Sequence, residues 1–183
     1  MPDRPAIIVI TGIQGAGKST VGRLLAGRFT RGAFVDADDL HWMIVAGQHW
    51  VTGPGDDISQ EAAHQLRLRL HNACLLARSF GDAGFTAVAV DIITGERWEH
   101  LQDELRGVLF YLVVLAPDVD AVIAREAARG KKTVLGPSWA YFLDEDLRRT
   151  MAGIGLWVDS TRQSPEETVE EIVQRLSEGL VES

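Results

Sequence analysis

The chain predicts a three-layer α/β fold, a five-stranded parallel sheet with helices on both faces. Three observations predict it. Continuous apolar runs such as Ala6–Ile10 and Val108–Leu115 recur along the chain, as strands buried on both faces require. Segments with apolar residues three and four apart separate these runs, so strands alternate with helices. The first run passes at Gly12 into a glycine-rich segment that opens a helix. Strand, turn and helix in that order make an anion-binding corner.

Each element follows from local signals. The first strand, Ala6–Ile10, lies between Pro5 and Gly12. The next helix covers Thr20–Phe29, with Val21, Leu24, Leu25 and the stem of Arg28 on one face. Ala33–Asp36 reads as the second strand, Leu40–Gly47 as a short helix and Gly53–Asp57 as a loop. Ser59 suits the N-cap of a long helix over Gln60–Asp82, whose apolar face is Leu66, Leu70, Ala73, Leu76, Ala77 and Phe80. Gly84 ends it. Phe85–Asp91 is the third strand, Arg97–Glu104 a short helix and Val108–Leu115 the fourth strand. Helices over Asp118–Arg129 and Ser138–Thr150 precede a fifth strand, Leu156–Asp159. Ser164 caps a last helix, Pro165–Leu180, with Pro165 in first position and Glu166 and Glu167 in the first turn.

Bulk properties narrow the function. All of residues 1–183 read as one domain. A net charge of −8 argues against nucleic acid as the main partner, because backbone binding rests on clustered Lys and Arg. No apolar stretch approaches about 20 residues, so no membrane partner is expected. The N-terminus shows no basic segment followed by a secretory apolar one, so the expected location is cytoplasmic. Cys74, the lone cysteine, sits in the apolar stretch Ala73–Ala77 and reads as a small buried hydrophobe. There is no cysteine cluster with metal-ligand spacing.

Gly12-Ile13-Gln14-Gly15-Ala16-Gly17-Lys18-Ser19 satisfies G-x-x-x-x-G-K-[ST], the phosphate-binding loop. Its glycines let consecutive backbone N–H groups turn inward around an anion. Lys18 reaches the β- and γ-phosphates, and the Ser19 hydroxyl helps hold Mg²⁺. Thr20 continues into the helix, whose positive end faces the phosphates. Gly12, Gln14, Gly15, Ala16, Gly17, Lys18, Ser19 and Thr20 are therefore the expected nucleotide cradle, and the fold is of the P-loop NTPase kind.

In such sheets ligands bind beyond the carboxyl ends of the strands. The second strand delivers Asp36-Ala37-Asp38-Asp39 there. If the strand continues, Asp36 and Asp38 face the same side, towards the phosphates. One carboxylate then serves Mg²⁺, and the other accepts a proton from a substrate hydroxyl held in line with the γ-phosphate. Asp39 reads as a turn aspartate. The third strand delivers Asp91, whose candidate roles are a metal–water ligand, a substrate contact or a strand-end cap. His41, Trp42, Gln48, His49 and Trp50 suit either an acceptor pocket with aromatic faces or a packing surface. Arg67 and Arg69 are two apart on the long helix, so at most one reaches the site. Trp139 and Trp157 read as core.

Gly15–Arg23, followed by Phe34-Val35-Asp36-Ala37-Asp38-Asp39-Leu40-His41, resembles the small-metabolite kinases of the shikimate kinase and gluconate kinase type. The resemblance implies that Asp36 assists magnesium and that Asp38 binds the acceptor hydroxyl as the candidate base. Arg125 and Arg129, leading into Gly130-Lys131-Lys132-Thr133, resemble the mobile lid of such kinases, with the lid at about 125–137 and the acceptor region at about 38–80. The lid position implies that Arg129 adds positive charge over the transferring phosphoryl group. Thr161–Pro165 lies where these kinases hold adenine, with Arg162 placed to stack on the base. Trp42–Trp50 replaces the proline-, asparagine- and lysine-rich segment of gluconate kinases. Asp91-Ile92-Ile93-Thr94-Gly95 replaces the triple glycine of shikimate kinases. Asp91 and the Trp42/Trp50 pair look more like chloramphenicol phosphotransferase and the zeta-toxin-type kinases.

The expected activity is transfer of the γ-phosphate of ATP, with Mg²⁺, to a hydroxyl of a small molecule, with Lys18, Asp38 and Arg129 catalytic. The expected metal ligands are Ser19, Asp36 and Asp91. Asp38, His41, Trp42, Trp50 and Asp91 form the expected acceptor site. Two alternatives stay open: a nucleotide-binding resistance or signalling protein that sequesters its ligand without transfer, and a nucleoside or nucleotide kinase.

Overall fold

A computed structural model of the protein describes residues 4–51, 58–128 and 136–181. The chain order is β1 (Ile7–Gly12), α1 (Lys18–Ala26), β2 (Gly32–Asp36), α2 (Ala37–Trp42), α3 (Gln60–Asp82), β3 (Thr86–Val90), α4 (Glu96–Glu104) and β4 (Phe110–Leu115). After these come α5 (Val119–Ala128), α6 (Pro137–Thr150), β5 (Leu156–Val158), α7 (Pro165–Arg175), a 3₁₀ turn (Leu176–Gly179) and β6 (Leu180–Val181).

The sheet runs β2-β3-β1-β4-β5, all parallel, as expected. Every residue of β1 and β3 is buried, which their unbroken apolar sequences require. Helices cover both faces. A Cβ on Gly22 of α1 would lie 2.7 Å from Val90 and 2.8 Å from Phe34. One residue along each strand, Val35 and Ala89 pack with Ala73 of α3. The alternation of side chains along a strand puts α1 and α3 on opposite faces. The strand order, not the strand direction, reverses around β1, which lies between β3 and β4, with β2 added on one side and β5 on the other. That switch point opens a crevice beyond the strands' carboxyl ends.

Three local features depart from the expectations. The extended segment stops at Asp36 rather than running through Asp38. The Asp36 side chain accepts a hydrogen bond from the Asp38 N–H at 3.0 Å and caps α2, which therefore begins at Ala37, not Leu40. On α3 the buried set is Ala62, Gln65, Arg69, Leu70, Ala73, Cys74 and Ala77, while Leu76 and Phe80 face outward. Leu70, Ala73 and Ala77 are buried as expected, but two polar residues, Gln65 and Arg69, share the inward face in place of Leu76 and Phe80. The last helix ends at Arg175, not Leu180. Its continuation must pass against β4, where a Cβ on Gly179 would lie 2.6 Å from the Leu112 carbonyl oxygen. The chain turns there and adds β6 antiparallel to β4.

Candidate active site

The phosphate loop closes the gap between β1 and α1. Gly17 adopts φ 97° as the N-cap of α1, a conformation that favours glycine. Gly12 passes so close to β4 that a Cβ would lie 2.5 Å from the Leu115 carbonyl oxygen. The turn is held by the Ala16 N–H to the Ile13 carbonyl at 3.2 Å. Lys18 donates from Nζ to the same carbonyl at 3.0 Å. Burial lowers the Lys18 pKa, opposed by the charges of Asp38, Asp91 and Asp36.

Gln14, Gly15, Gly17, Lys18, Ser19 and Thr20 line a cavity of about 570 Å³, within the range of small-molecule sites. Asp36, Asp38 and Asp91 line the same cavity. Gly12 and Ala16 are buried and support the loop. Asp36 and Asp38 come together although they share no strand, because the first turn of α2 returns Asp38 to the cavity.

Behind Asp38 runs a chain of alternating charge. Arg69, on α3 and 5% exposed, donates from Nη1 to Asp38 Oδ1 at 2.9 Å and from Nη2 to Asp91 Oδ1 at 2.5 Å. Asp91 Oδ2 accepts from Arg97 of α4, and Asp91 Oδ1 also accepts the Ile92 N–H at 2.8 Å. Asp91 is 3% exposed. Its two oxygens are thus committed to guanidiniums and backbone. Burial lowers the Arg97 pKa, and Asp91 is the main opposing charge.

Two aromatic pairs stand in the same cavity. Trp42 and Trp50 pack with ring centroids 5.1 Å apart, and Trp139 meets Phe142 edge-on at 5.6 Å. All four line the cavity. His41 does not; it is fully buried, its ring centroid 4.1 Å from that of Trp50. Among the described residues its ring nitrogens make no hydrogen bond. Burial and then Arg69 lower its pKa. The segment after α2 is tied down by Gln48 Nε2 to the His41 carbonyl at 3.1 Å and by Gln65. Gln65 accepts from the His49 N–H and donates to the Gly47 carbonyl.

Arg125 stands apart from the phosphate loop's cavity. Its Nη2 donates to the carbonyls of Ser160 and Thr161, in the loop after β5. Arg162 is exposed in that loop. Arg129, the two lid lysines and the expected loop 53–57 lie outside the described residues. Ser19 and Asp36 offer a hydroxyl and a carboxylate to one cavity. This suits Mg²⁺, which is typically held by few protein groups together with phosphates. No cluster of three or more potential metal ligands occurs among the described residues, nor is any helix there long and apolar enough to cross a membrane.

Sequence reasoning missed Arg97 and Phe142; Trp139 is a core residue as expected and also lines the cavity. For Arg69 there was a signal. Gln65, Arg69 and Ala73 are four apart on α3, a polar pair set among small residues on one helix face.

A parallel sheet in this order, with the phosphate loop at its switch point and acidic and aromatic side chains lining the same cavity, defines the class as a P-loop protein built like small-molecule kinases. Solved structures of that class share the fold. A sugar kinase from a Janibacter species matches with a TM-score of 0.67 at 18% identity, covering 94% of this chain and 95% of the other. The tunicamycin resistance protein of Deinococcus radiodurans matches at 0.66 and 17%, covering 98% and 100%. A gluconokinase from Sinorhizobium meliloti matches at 0.62 and 19%, covering 96% and 94%. No curated protein sequence matches. Residues 5–177 match the chloramphenicol phosphotransferase-like proteins, and the chain belongs to that family.

Proposed function

We propose that the protein transfers the γ-phosphate of ATP to a hydroxyl of a small, ring-bearing molecule. The observation that carries this reading is a single cavity lined by both the phosphate loop and Asp38, with Trp42, Trp50, Trp139 and Phe142 as walls. A binding protein needs the loop; transfer also needs a carboxylate beside the acceptor.

The roles follow from position. Lys18 and the loop N–H groups hold the β- and γ-phosphates. Ser19 and Asp36 would hold Mg²⁺, which when bound neutralises charge on the phosphate oxygens. Asp38 orients the acceptor hydroxyl and takes its proton. The aromatic faces receive the acceptor's ring. Arg129 is the proposed lid cation over the transferring group, and Arg162 the proposed base contact. Arg125 braces the loop that carries Arg162. Asp91, with both oxygens engaged, fixes two guanidiniums rather than magnesium. Because those guanidiniums face Asp91 and Asp38, the cavity floor carries no surplus positive charge for an anionic acceptor.

The test is a split between binding and transfer. Lys18→Ala should abolish ATP binding and turnover together. Asp38→Asn should keep ATP affinity within about twofold and lower turnover by about a hundredfold or more, the usual scale of a general base. Full turnover in Asp38→Asn would remove the assignment of Asp38.

A further inference from the structure

We infer that Arg69 is the positioning residue of Asp38: it fixes one carboxylate oxygen and leaves the other for the acceptor hydroxyl. This rests on the phosphotransferase reading, in which Asp38 is the base.

Asp38 is a poor candidate to hold its own geometry. It lies in the first turn of a six-residue helix, and its side chain is 63% exposed. An exposed carboxylate samples several rotamers. Arg69 is the opposite case, buried in the middle of the 23-residue α3. Its Nη1 reaches Asp38 Oδ1 at 2.9 Å. Among the described residues Asp38 Oδ2 has no hydrogen-bond partner. One oxygen is therefore held, on a side chain that lines the cavity and is largely exposed there.

Arg69 is itself immobilised. Its Nη2 is held by Asp91 Oδ1 at 2.5 Å; that oxygen also accepts the Ile92 N–H, and Asp91 Oδ2 accepts from Arg97. The charges alternate Arg97, Asp91, Arg69, Asp38, so each member orients the next. A guanidinium suits the third position because its planar fork serves two carboxylates at fixed angles. The same engagement argues against Arg69 as a receptor for an acceptor anion. Each terminal nitrogen already donates to a carboxylate, the side chain is only 5% exposed, and Nε is buried without a partner. Arg69 acts through Asp38.

The experiment uses ATP turnover, with water as acceptor when no alcohol is supplied, and a fluorescent ATP analogue for affinity. Wild type is compared with Arg69→Gln, Arg69→Lys, Asp38→Asn and the double variant Asp38→Asn/Arg69→Gln. Arg69→Gln should lower kcat by about a hundredfold, near the Asp38→Asn level, with the KM for ATP within about twofold. The double variant should be no slower than the slower single variant, since Arg69 has nothing to position once Asp38 is gone. Arg69→Lys keeps the charge but not the fork, so its kcat should fall between the wild-type and Arg69→Gln values. It is also the variant to rely on if Arg69→Gln does not fold. Wild-type kcat in either Arg69 variant overturns the inference, as do losses that multiply in the double variant or a parallel rise in KM. Impaired Asp38→Asn beside unimpaired Arg69 variants overturns this inference alone. Unimpaired Asp38→Asn removes Asp38 as the base, and this inference with it, while leaving the transfer reading standing; no turnover by the wild type with water or any alcohol overturns both.

Discussion

Replacing Asp91 with Asn separates an electrostatic keystone from a metal ligand. In the folded protein Asp91 is 3% exposed and stands between Arg69, 5% exposed, and Arg97, 18% exposed. Asn keeps one oxygen, enough to accept from one guanidinium. Its amide NH₂ would then face the other, a donor against a donor. Removing one partner of a buried ion pair costs about 3–5 kcal/mol. Arg69 retains Asp38, which, although 63% exposed and screened, still offsets part of the loss. The lower end, about 3 kcal/mol, is therefore expected, a large share of the ~5–15 kcal/mol that holds a domain folded. At roughly 2–4 °C per kcal/mol for a chain of this size, Tm should fall by about 6–12 °C. Urea and thermal unfolding of the nucleotide-free protein, followed by circular dichroism, measure this. A loss below about 1 kcal/mol without nucleotide, together with weakened Mg²⁺-dependent ATP binding, would refute the keystone role and restore Asp91 as a metal ligand.

The other predictions concern the aromatic wall, pH and the thiol. Trp50→Ala should raise the KM for a ring-bearing acceptor about tenfold or more while leaving ATP affinity unchanged, because Trp50 lines the cavity on the α2 side; equal losses for both ligands would contradict the placement. His41 has its pKa lowered from 6.5 by burial and by Arg69. Its neutral form is therefore favoured in the fold, and the unfolded chain binds the proton more readily. The stability this confers is complete above pH 6.5 and is lost as pH falls from there through the lowered folded value. Unfolding free energy measured between pH 7.5 and 5 should decline less steeply in His41→Phe than in wild type. Cys74 is buried and its thiol is pushed up to about 12 by burial and the nearby carboxylates of Glu104 and Asp91. A thiol reagent at pH 8 should react with it only as the protein unfolds, so urea should accelerate labelling by orders of magnitude.

Much of the architecture is legible in the sequence because burial on both faces leaves strands as uninterrupted apolar runs. The 23-residue α3 begins and ends where Ser59, the apolar spacing and Gly84 place it. The phosphate loop is legible for a different reason: its chemistry needs particular residues at fixed offsets. What is not legible is decided by tertiary contact. Whether Asp36 extends a strand or caps a helix depends on one side-chain hydrogen bond to Asp38 N. The inward face of α3 holds Gln65 and Arg69 because the 43–51 segment, Asp38 and Asp91 supply their partners. Those partners lie 16 to 31 residues away in the chain. Trp139 reads as core by composition and is nearly buried at 9% exposure, yet its exposed edge helps wall the cavity. β6 is two residues long, too short for any alternation to reveal.

Phosphate transfer itself is the central claim, and mass spectrometry reads it directly. The protein is incubated with ATP, Mg²⁺ and a panel of hydroxylated ring compounds, both neutral and acidic, beside the Lys18→Ala and Asp38→Asn variants. The account predicts that at least one neutral alcohol gains the mass of one phosphate with the wild-type protein and with neither variant. Tight ATP binding with no such gain across the panel would contradict it and leave a protein that holds its ligand without transfer.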